Sequence, residues 1–334
     1  MNPPRASVFV LGALALGYVV AQNRKRKRFL DTTHSPFTAQ STAEDVTEGM
    51  DLFGKTYLVT GSNSGIGLET VRVLTLRGAT VVAAGRTEDK VKEAIQSFVG
   101  KEGGNGQVIP LACELSSPES VKQFVAKASK YQYDAILCNA GVMMLPELEL
   151  VHGLEKQFFT NHIGHFMLVT GLLGSLKSDG RVVLVSSSGN DLAPKAGIEF
   201  DNLDGSKGYS PMTAYGTSKL ANVLMAWALT DKFQGTSKTA ISLHPGVIQT
   251  NLQRHVSPVF NLLLPYVAPL FFESLKTIPQ GAANQVFAAV HPNAKLAKTT
   301  HYLVNTQEHQ VHPATSKDLA NKLWNFSEEV VSKF

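Results

Sequence analysis

The chain is poor in cysteine. Only Cys113 and Cys138 occur in 334 residues, which excludes a disulfide framework and points to a reducing compartment. Nor does the main body carry an excess of one charge. The formal net charge is +4, but Arg24-Lys25-Arg26-Lys27-Arg28 supplies five positives, and subtracting them leaves about −1. No basic face remains of the kind that holds nucleic acid. A G-x-S-x-G elbow is missing, so the serines do not point to a hydrolase. His162 and His165 stand three apart with His152 nearby, yet no carboxylate or further histidine completes a ligand pattern. Packing or hydrogen bonding is therefore their expected role, and no metal is expected.

Long apolar runs are also scarce, and the first is at the N-terminus. Residues Ala6 to Gln22 carry no charge and are followed by the basic block. A span of about 17 residues is at the lower limit for crossing a bilayer as a helix. Positive charge after the span, with only Arg5 before it, keeps the downstream side cytosolic. A cleaved signal peptide ending at Val19-Val20-Ala21 is the competing reading, opposed by the thin n-region and by the basic block beyond the site. The expected organisation is a membrane anchor with its basic flank at 1–28, a flexible tether at 29–50 rich in Thr, Ser and acidic residues, and one domain at 51–334. That places a catalytic domain on the cytosolic side of an intracellular membrane, the endoplasmic reticulum or another if the source is eukaryotic.

The remaining 284 residues suffice for one large α/β domain. Strand candidates at 55–60, 79–84, 107–111, 134–138, 181–185, 239–243 and 300–304 alternate with helix candidates. This order predicts a doubly wound parallel sheet of about seven strands, Rossmann-type. The first candidate runs into Gly61-Ser62-Asn63-Ser64-Gly65-Ile66-Gly67, and a helical pattern follows. Strand, glycine loop and helix in that order allow backbone N–H groups to approach a pyrophosphate at the helix N-terminus. The second candidate closes with Gly85-Arg86. An arginine there suits a ribose 2′-phosphate, where an acidic residue would suit a 2′-hydroxyl, so NADP is expected over NAD. In the helix expected from Met212 to Leu229, Tyr215 and Lys219 are four residues apart and share a face. An ammonium beside a phenol favours the phenolate and lowers a pKa that is otherwise near about 10.

With these residues in order, the chain resembles a short-chain dehydrogenase/reductase. The matching pieces are Thr60-Gly61-x-x-x-Gly65-x-Gly67, Asn139-Ala140-Gly141, Asn161, Ser186-Ser187-Ser188, Tyr215-x-x-x-Lys219 and Pro245-Gly246. Within the family, Thr160-Asn161-His162-Ile163-Gly164-His165-Phe166, Ser242-Leu243-His244-Pro245-Gly246-Val247 and Leu323-Trp324-Asn325 resemble the retinol dehydrogenase-like group, which includes the oxidoreductase domain of WW-domain proteins.

The resemblance implies roles. Tyr215 is the general acid in reduction. Lys219 binds the nicotinamide ribose and depresses the tyrosine's pKa. Ser187, or a neighbouring serine, holds the substrate oxygen. Asn161 holds a water that leads from the lysine to solvent. Gly61, Asn63, Ser64, Gly65, Ile66, Gly67, Arg86, Glu114, Leu115, Asn139, Ala140, Gly141, Pro245, Gly246 and Thr250 are expected to bind NADP(H), together with Tyr215 and Lys219. Glu114 stands where the family usually has aspartate. The resemblance also implies an NADP-dependent enzyme acting on CH–OH groups.

An apolar segment, Val256 to Phe272, falls at the family's substrate lid and suggests a lipophilic partner such as a retinoid, a steroid or a long-chain carbonyl. A lid packed on its own domain or on a second copy of the chain is the alternative, which leaves self-association open. The insertion between Ser187 and Tyr215 is expected to shape the pocket mouth. A different class of function, an NADP-binding regulator or scaffold at a membrane complex with little turnover, is carried by a resemblance to plant translocon-associated relatives.

Overall fold

The computed structural model describes residues 33–101, 104–248, 275–296 and 301–334. The expected anchor, Thr250 and the apolar lid lie outside the described residues. Among those described, no helix is long and apolar enough to cross a membrane.

Eight strands form one sheet. They are β1 (Thr56–Thr60), β2 (Thr80–Gly85), β3 (Gln107–Ala112), β4 (Tyr133–Cys138), β5 (Leu176–Val185), β6 (Thr239–His244), β7 (Tyr302–Val304) and β8 (Gln307–Glu308). Their spatial order is β8-β7-β6-β5-β4-β1-β2-β3. The pairings from β3 across to β7 are parallel, as the alternation of strand and helix candidates predicts. The eighth strand was not expected. It is a two-residue antiparallel return from β7 through Asn305 and Thr306, both with φ in the left-handed region. β5 also begins five residues earlier than Arg181, because a register shift lets Leu176 pair with Tyr133 before the regular ladder starts at Ala135 and Arg181.

Side chains of period two divide the core between the two faces of the sheet. Leu58, Val82, Ile136, Val182 and Leu184 face α4 (Pro118–Ala128), α5 (Gly164–Leu172), α6 (Pro211–Lys232) and α8 (Lys317–Val331). Their neighbours Val59, Val81, Leu137, Val183 and Leu243 face α1 (Ala43–Val46), α2 (Gly65–Leu76), α3 (Glu88–Ile95) and α7 (Ile278–Val290). Both faces are buried, which is why the central strands read as nearly continuous apolar runs.

Residues 33–50 correct the expectation of a flexible tether. Thr42 and Asp45 form a capping box at the start of α1, whose Ala43 and Val46 are buried against α7. Upstream, Thr33 Oγ1 donates to the Thr306 carbonyl at 3.0 Å, Ser35 Oγ and Thr306 Oγ1 lie 2.7 Å apart, and the Phe37 ring meets Phe287 edge-on at 6.0 Å. A polar composition concealed this segment, since few apolar side chains carry the packing. A chain beginning at residue 51 loses all of these contacts. It is expected to be less stable than one beginning at residue 33 by about 2–4 kcal/mol, read as a thermal midpoint lower by roughly 5 °C. Equal midpoints would show that the segment contributes nothing.

Candidate active site

The carboxyl ends of β1, β4, β5 and β6 open onto one edge of the sheet, where a doubly wound fold places its ligand crevice. β1 leads into the glycine loop. Gly61 and Gly65 have φ of +72° and +57°, and a Cβ on Gly67 would fall 2.3 Å from the Gly61 carbonyl oxygen and 2.5 Å from Asn139 Nδ2. Only glycine permits that approach of helix to strand. Ser64 caps α2 without a side-chain hydrogen bond, so the first turn presents backbone N–H groups and the positive end of the helix dipole. Asn63, Ser64, Gly65 and Ile66 are part-exposed along this rim.

Asn139-Ala140-Gly141 follows β4 directly and is fastened to β1. The Asn139 and Ala140 N–H groups both donate to Thr60 Oγ1, at 2.9 and 3.0 Å, and Asn139 Nδ2 donates to the Thr60 carbonyl at 2.8 Å. Asn139 Oδ1 is buried without a partner among the described residues. A glycine-lined cradle and a helix N-terminus with open N–H groups fit an anionic dinucleotide. Arg86 is exposed just past the end of β2, free to reach a phosphate at that rim. The Glu114 carboxylate folds back to accept from Ser116 N at 3.2 Å and Ser116 Oγ at 2.8 Å, while Leu115 packs in the core.

Tyr215 and Lys219 lie on α6, which starts with an N-cap bond from Thr213 N to Ser210 Oγ and Pro211 in its first turn. Both side chains are buried. Lys219 Nζ lies 5.7 Å from the centre of the Tyr215 ring and donates to the Val185 carbonyl at 3.0 Å. Burial draws the lysine down to about 8. It also pushes the Tyr215 phenol up to about 12, opposed by a hydrogen bond with Ser187. The expected depression of the tyrosine by its lysine is thus absent here, because desolvation of the phenolate outweighs the other influences.

The three serines take different places. Ser186 Oγ donates to the Lys219 carbonyl at 2.7 Å and is buried in helix packing. Ser187 Oγ accepts from Gly189 N at 3.0 Å and is the serine that meets the phenol. Ser188 begins a short 3-10 turn. Gly189 is obligatory beside them, since its Cβ would stand 2.9 Å from Tyr215 Cε1.

Asn161 sits in a π-helical turn, Phe159–Ile163, ahead of α5. Its Nδ2 donates to the Val142 carbonyl and to Ser218 Oγ, both at 2.9 Å, and its Oδ1 accepts from Val142 N at 2.8 Å. Both amide N–H groups are therefore committed to the chain, and the side chain braces the loop after β4 against α6. A Cβ on Gly141 would stand 3.1 Å from Asn161 Oδ1 and 3.6 Å from Lys219 Nζ.

Pro245 and Gly246 leave β6 at the same edge. Gly246 has φ +104°, and the stem of Lys276 crosses its face so closely that a Cβ would meet Lys276 Cδ at 2.5 Å. Asn284 Nδ2 donates to the His244 carbonyl at 2.8 Å and steadies this exit.

Sequence reasoning did not single out Gln157. Its Oε1 accepts from Met144 N at 2.7 Å, and its Nε2 donates toward Tyr209 Oη and the Pro211 carbonyl, both at 3.3 Å, so the loop after Gly141 is tied to the start of α6. A lone glutamine carries no motif. The insertion before Tyr215 lines a cavity of about 50 Å³ with Glu155, Pro194, Leu203, Tyr209 and Thr217. Thr217 is two residues from Tyr215 and so on the opposite side of α6. The insertion thus packs beside the face of α6 that carries Thr217. Among the described residues, no group of His, Cys, Asp and Glu could hold a metal ion.

The chain is similar to known proteins over most of its length. The profile of the family described as short chain dehydrogenase matches residues 55–259. The chain is 38% identical over 308 residues to the short-chain dehydrogenase TIC 32 A, chloroplastic, of Brassica napus, covering 89% of this chain and 95% of that one. It is 35% identical over 305 residues to human retinol dehydrogenase 14, covering 84% and 87%. It is 36% identical over 284 residues to human polyprenol dehydrogenase, covering 82% and 84%. Among solved structures, an uncharacterised protein of Mycobacterium paratuberculosis superposes with a TM-score of 0.67 at 28% identity, over 86% of this chain and 97% of the other. The L-sorbose reductase of Gluconobacter frateurii, solved with NADPH and L-sorbose, shares the fold at a TM-score of 0.58 and 19% identity, over 76% and 95%. The glycine cradle, the serine-bridged tyrosine and the buried lysine are therefore those of a chain that belongs to the short-chain dehydrogenase family, with retinol dehydrogenases among its relatives.

Proposed function

We propose that this protein is an NADP(H)-dependent oxidoreductase that interconverts a lipophilic alcohol and its aldehyde or ketone. The observation that carries the reading is the Ser187–Tyr215–Lys219 arrangement beside the glycine cradle. NADP(H) is supported by the exposed Arg86 at the end of β2 and by the absence of an acidic residue there. The relatives named for retinol and polyprenol support a lipophilic substrate, as does the apolar composition of 256–272.

The dinucleotide supplies the hydride. The chain's own residues handle the oxygen. Ser187 and Tyr215 hold the substrate carbonyl oxygen between two hydroxyls, and Tyr215 gives its proton to that oxygen as negative charge develops. A phenol at about 12 is fully protonated at neutral pH, the state a donor needs. The Lys219 ammonium stabilises the phenolate left behind, at low dielectric and close range.

Consumption of NADPH by the full chain with a panel of lipophilic aldehydes and ketones, retinal included, tests the activity. Turnover is expected with NADPH in preference to NADH, and Tyr215→Phe is expected to lower kcat by at least about 100-fold while the fold is kept. A folded chain that binds NADPH and reduces nothing in the panel would favour the NADP-binding regulator instead.

The acid–base reading sets a pH dependence. Lys219 is charged below its pKa of about 8 and loses that charge above it. The kcat/KM for NADPH, which reports the free enzyme, is expected to be level below pH 8 and to fall about tenfold per pH unit above it. A profile that rises through this range would remove the lysine from its role.

The reading also includes an N-terminal anchor at 1–28, supported by the uncharged run and its basic flank, with the catalytic domain on the cytosolic side. Alkaline carbonate extraction is expected to leave the full chain in the membrane fraction, and its release would sink the anchor alone.

A further inference from the structure

His162 and His165, three residues apart, are given no part in this chemistry, and each has a structural place to be accounted for. His162 has one: its Nε2 lies 2.8 Å from Ser327 Oγ, and its ring packs with Phe158 and Phe166, so it joins the π-helical turn to α8 inside the core. His165 is different, because each of its ring nitrogens faces a part of the site. Nδ1 lies 3.0 Å from the Asn161 carbonyl oxygen, and Nε2 lies 2.9 Å from Thr60 Oγ1.

The Thr60 hydroxyl has two acceptors in reach, His165 Nε2 at 2.9 Å and the Leu137 carbonyl at 3.4 Å, and the nearer is the ring nitrogen. A carbonyl cannot donate, so Nδ1 carries the proton and donates to Asn161. Nε2 is then an acceptor, and the Thr60 hydroxyl donates to it. That leaves the two lone pairs of Thr60 Oγ1 for the N–H groups of Asn139 and Ala140. The imidazole is 0% exposed, and burial draws it down to about 4, so it is neutral throughout the working range. A proton added at Nε2 would oppose the Thr60 hydroxyl.

We propose that His165 is a positioning residue that holds the Asn161 turn, on the proton-transfer side, in register with the Thr60–Ala140 floor, on the dinucleotide side. This rests on the oxidoreductase reading above. The two nitrogens have separable duties. Through Nε2 the imidazole orients the hydroxyl that receives Asn139 and Ala140, and so sets the floor of the cradle. Through Nδ1 it fixes the backbone of the turn whose Asn161 amide braces Val142 and Ser218, the latter bonded at 2.7 Å to the Tyr215 carbonyl.

Two shorter amides separate the duties. In His165→Asn, the side-chain nitrogen occupies the place of Nδ1 and can still donate to Asn161, but nothing reaches Thr60. In His165→Gln, the amide oxygen reaches the place of Nε2 and can still accept from Thr60, while the Asn161 contact is lost. The measurements, on the full chain, are the NADPH dissociation constant by nicotinamide fluorescence, and kcat with whichever carbonyl the wild type reduces best, beside thermal unfolding. His165→Asn is expected to weaken NADPH about tenfold with kcat nearly kept, and His165→Gln to keep NADPH affinity and lose about tenfold in kcat. His165→Ala should lose both. The binding arm needs no substrate and decides the Thr60 contact alone. If Asn and Gln variants lower only the unfolding midpoint, or impair both parameters alike, His165 merely fills the core and the assignment is overturned. If the wild type itself binds no NADPH, the function proposed above falls, and this assignment with it.

Discussion

Burial of the helix that carries Tyr215 and Lys219 is the constraint on which the rest of the site depends. α6 passes through the middle of one helical layer, and most of its residues from Tyr215 to Leu229 are inaccessible to water. A phenol and an ammonium placed there each resist ionisation, which raises one pKa and lowers the other. The chain offsets this desolvation with fixed dipoles: the Val185 carbonyl at the ammonium and the Ser187 hydroxyl at the phenol. Both come from the end of β5, so the sheet and the helix must meet in register before either group has a partner. Ser186 secures that meeting by bonding the carbonyl of Lys219 itself.

The same logic holds at the glycine cradle. The closeness of Gly67 to Gly61 and Asn139 brings α2 against the ends of β1 and β4. Thr60 then gathers three hydrogen bonds at one oxygen, and two loops distant in sequence become one floor. The polar groups in this region are mostly satisfied by one another, which gives a preorganised surface rather than one assembled on binding.

Much of this was legible in the sequence, and for stated physical reasons. Apolar runs such as Tyr57-Leu58-Val59 and Ala135-Ile136-Leu137 mark strands buried on both faces, and Gly61, Gly65 and Gly67 mark backbone positions that a side chain would block. The four-residue spacing of Tyr215 and Lys219 placed them on one face of α6. What remained hidden depends on tertiary context. The capping box at Thr42 and the Thr33–Thr306 bond belong to a polar stretch without periodicity, so its docking was invisible. The rise of the Tyr215 pKa follows from burial, which adjacency to a lysine cannot reveal. Gln157 and His165 act through partners far away in the chain, and neither residue type signals such a role by itself. Counting along the strand favoured the middle serine, and the structure adds which hydroxyl meets the ring.

The two ends of the sheet have a consequence for association. β3 is the outer strand on one side and contains Pro110, a residue with no N–H to offer. On the other side, β8 is only two residues long and returns antiparallel from a left-handed turn. Neither border presents a long row of open donors and acceptors on which another chain could extend the ladder. Strand addition is thus discouraged at both margins, which protects a large apolar sheet against polymerisation and leaves helices and loops as the surfaces through which the molecule can meet others.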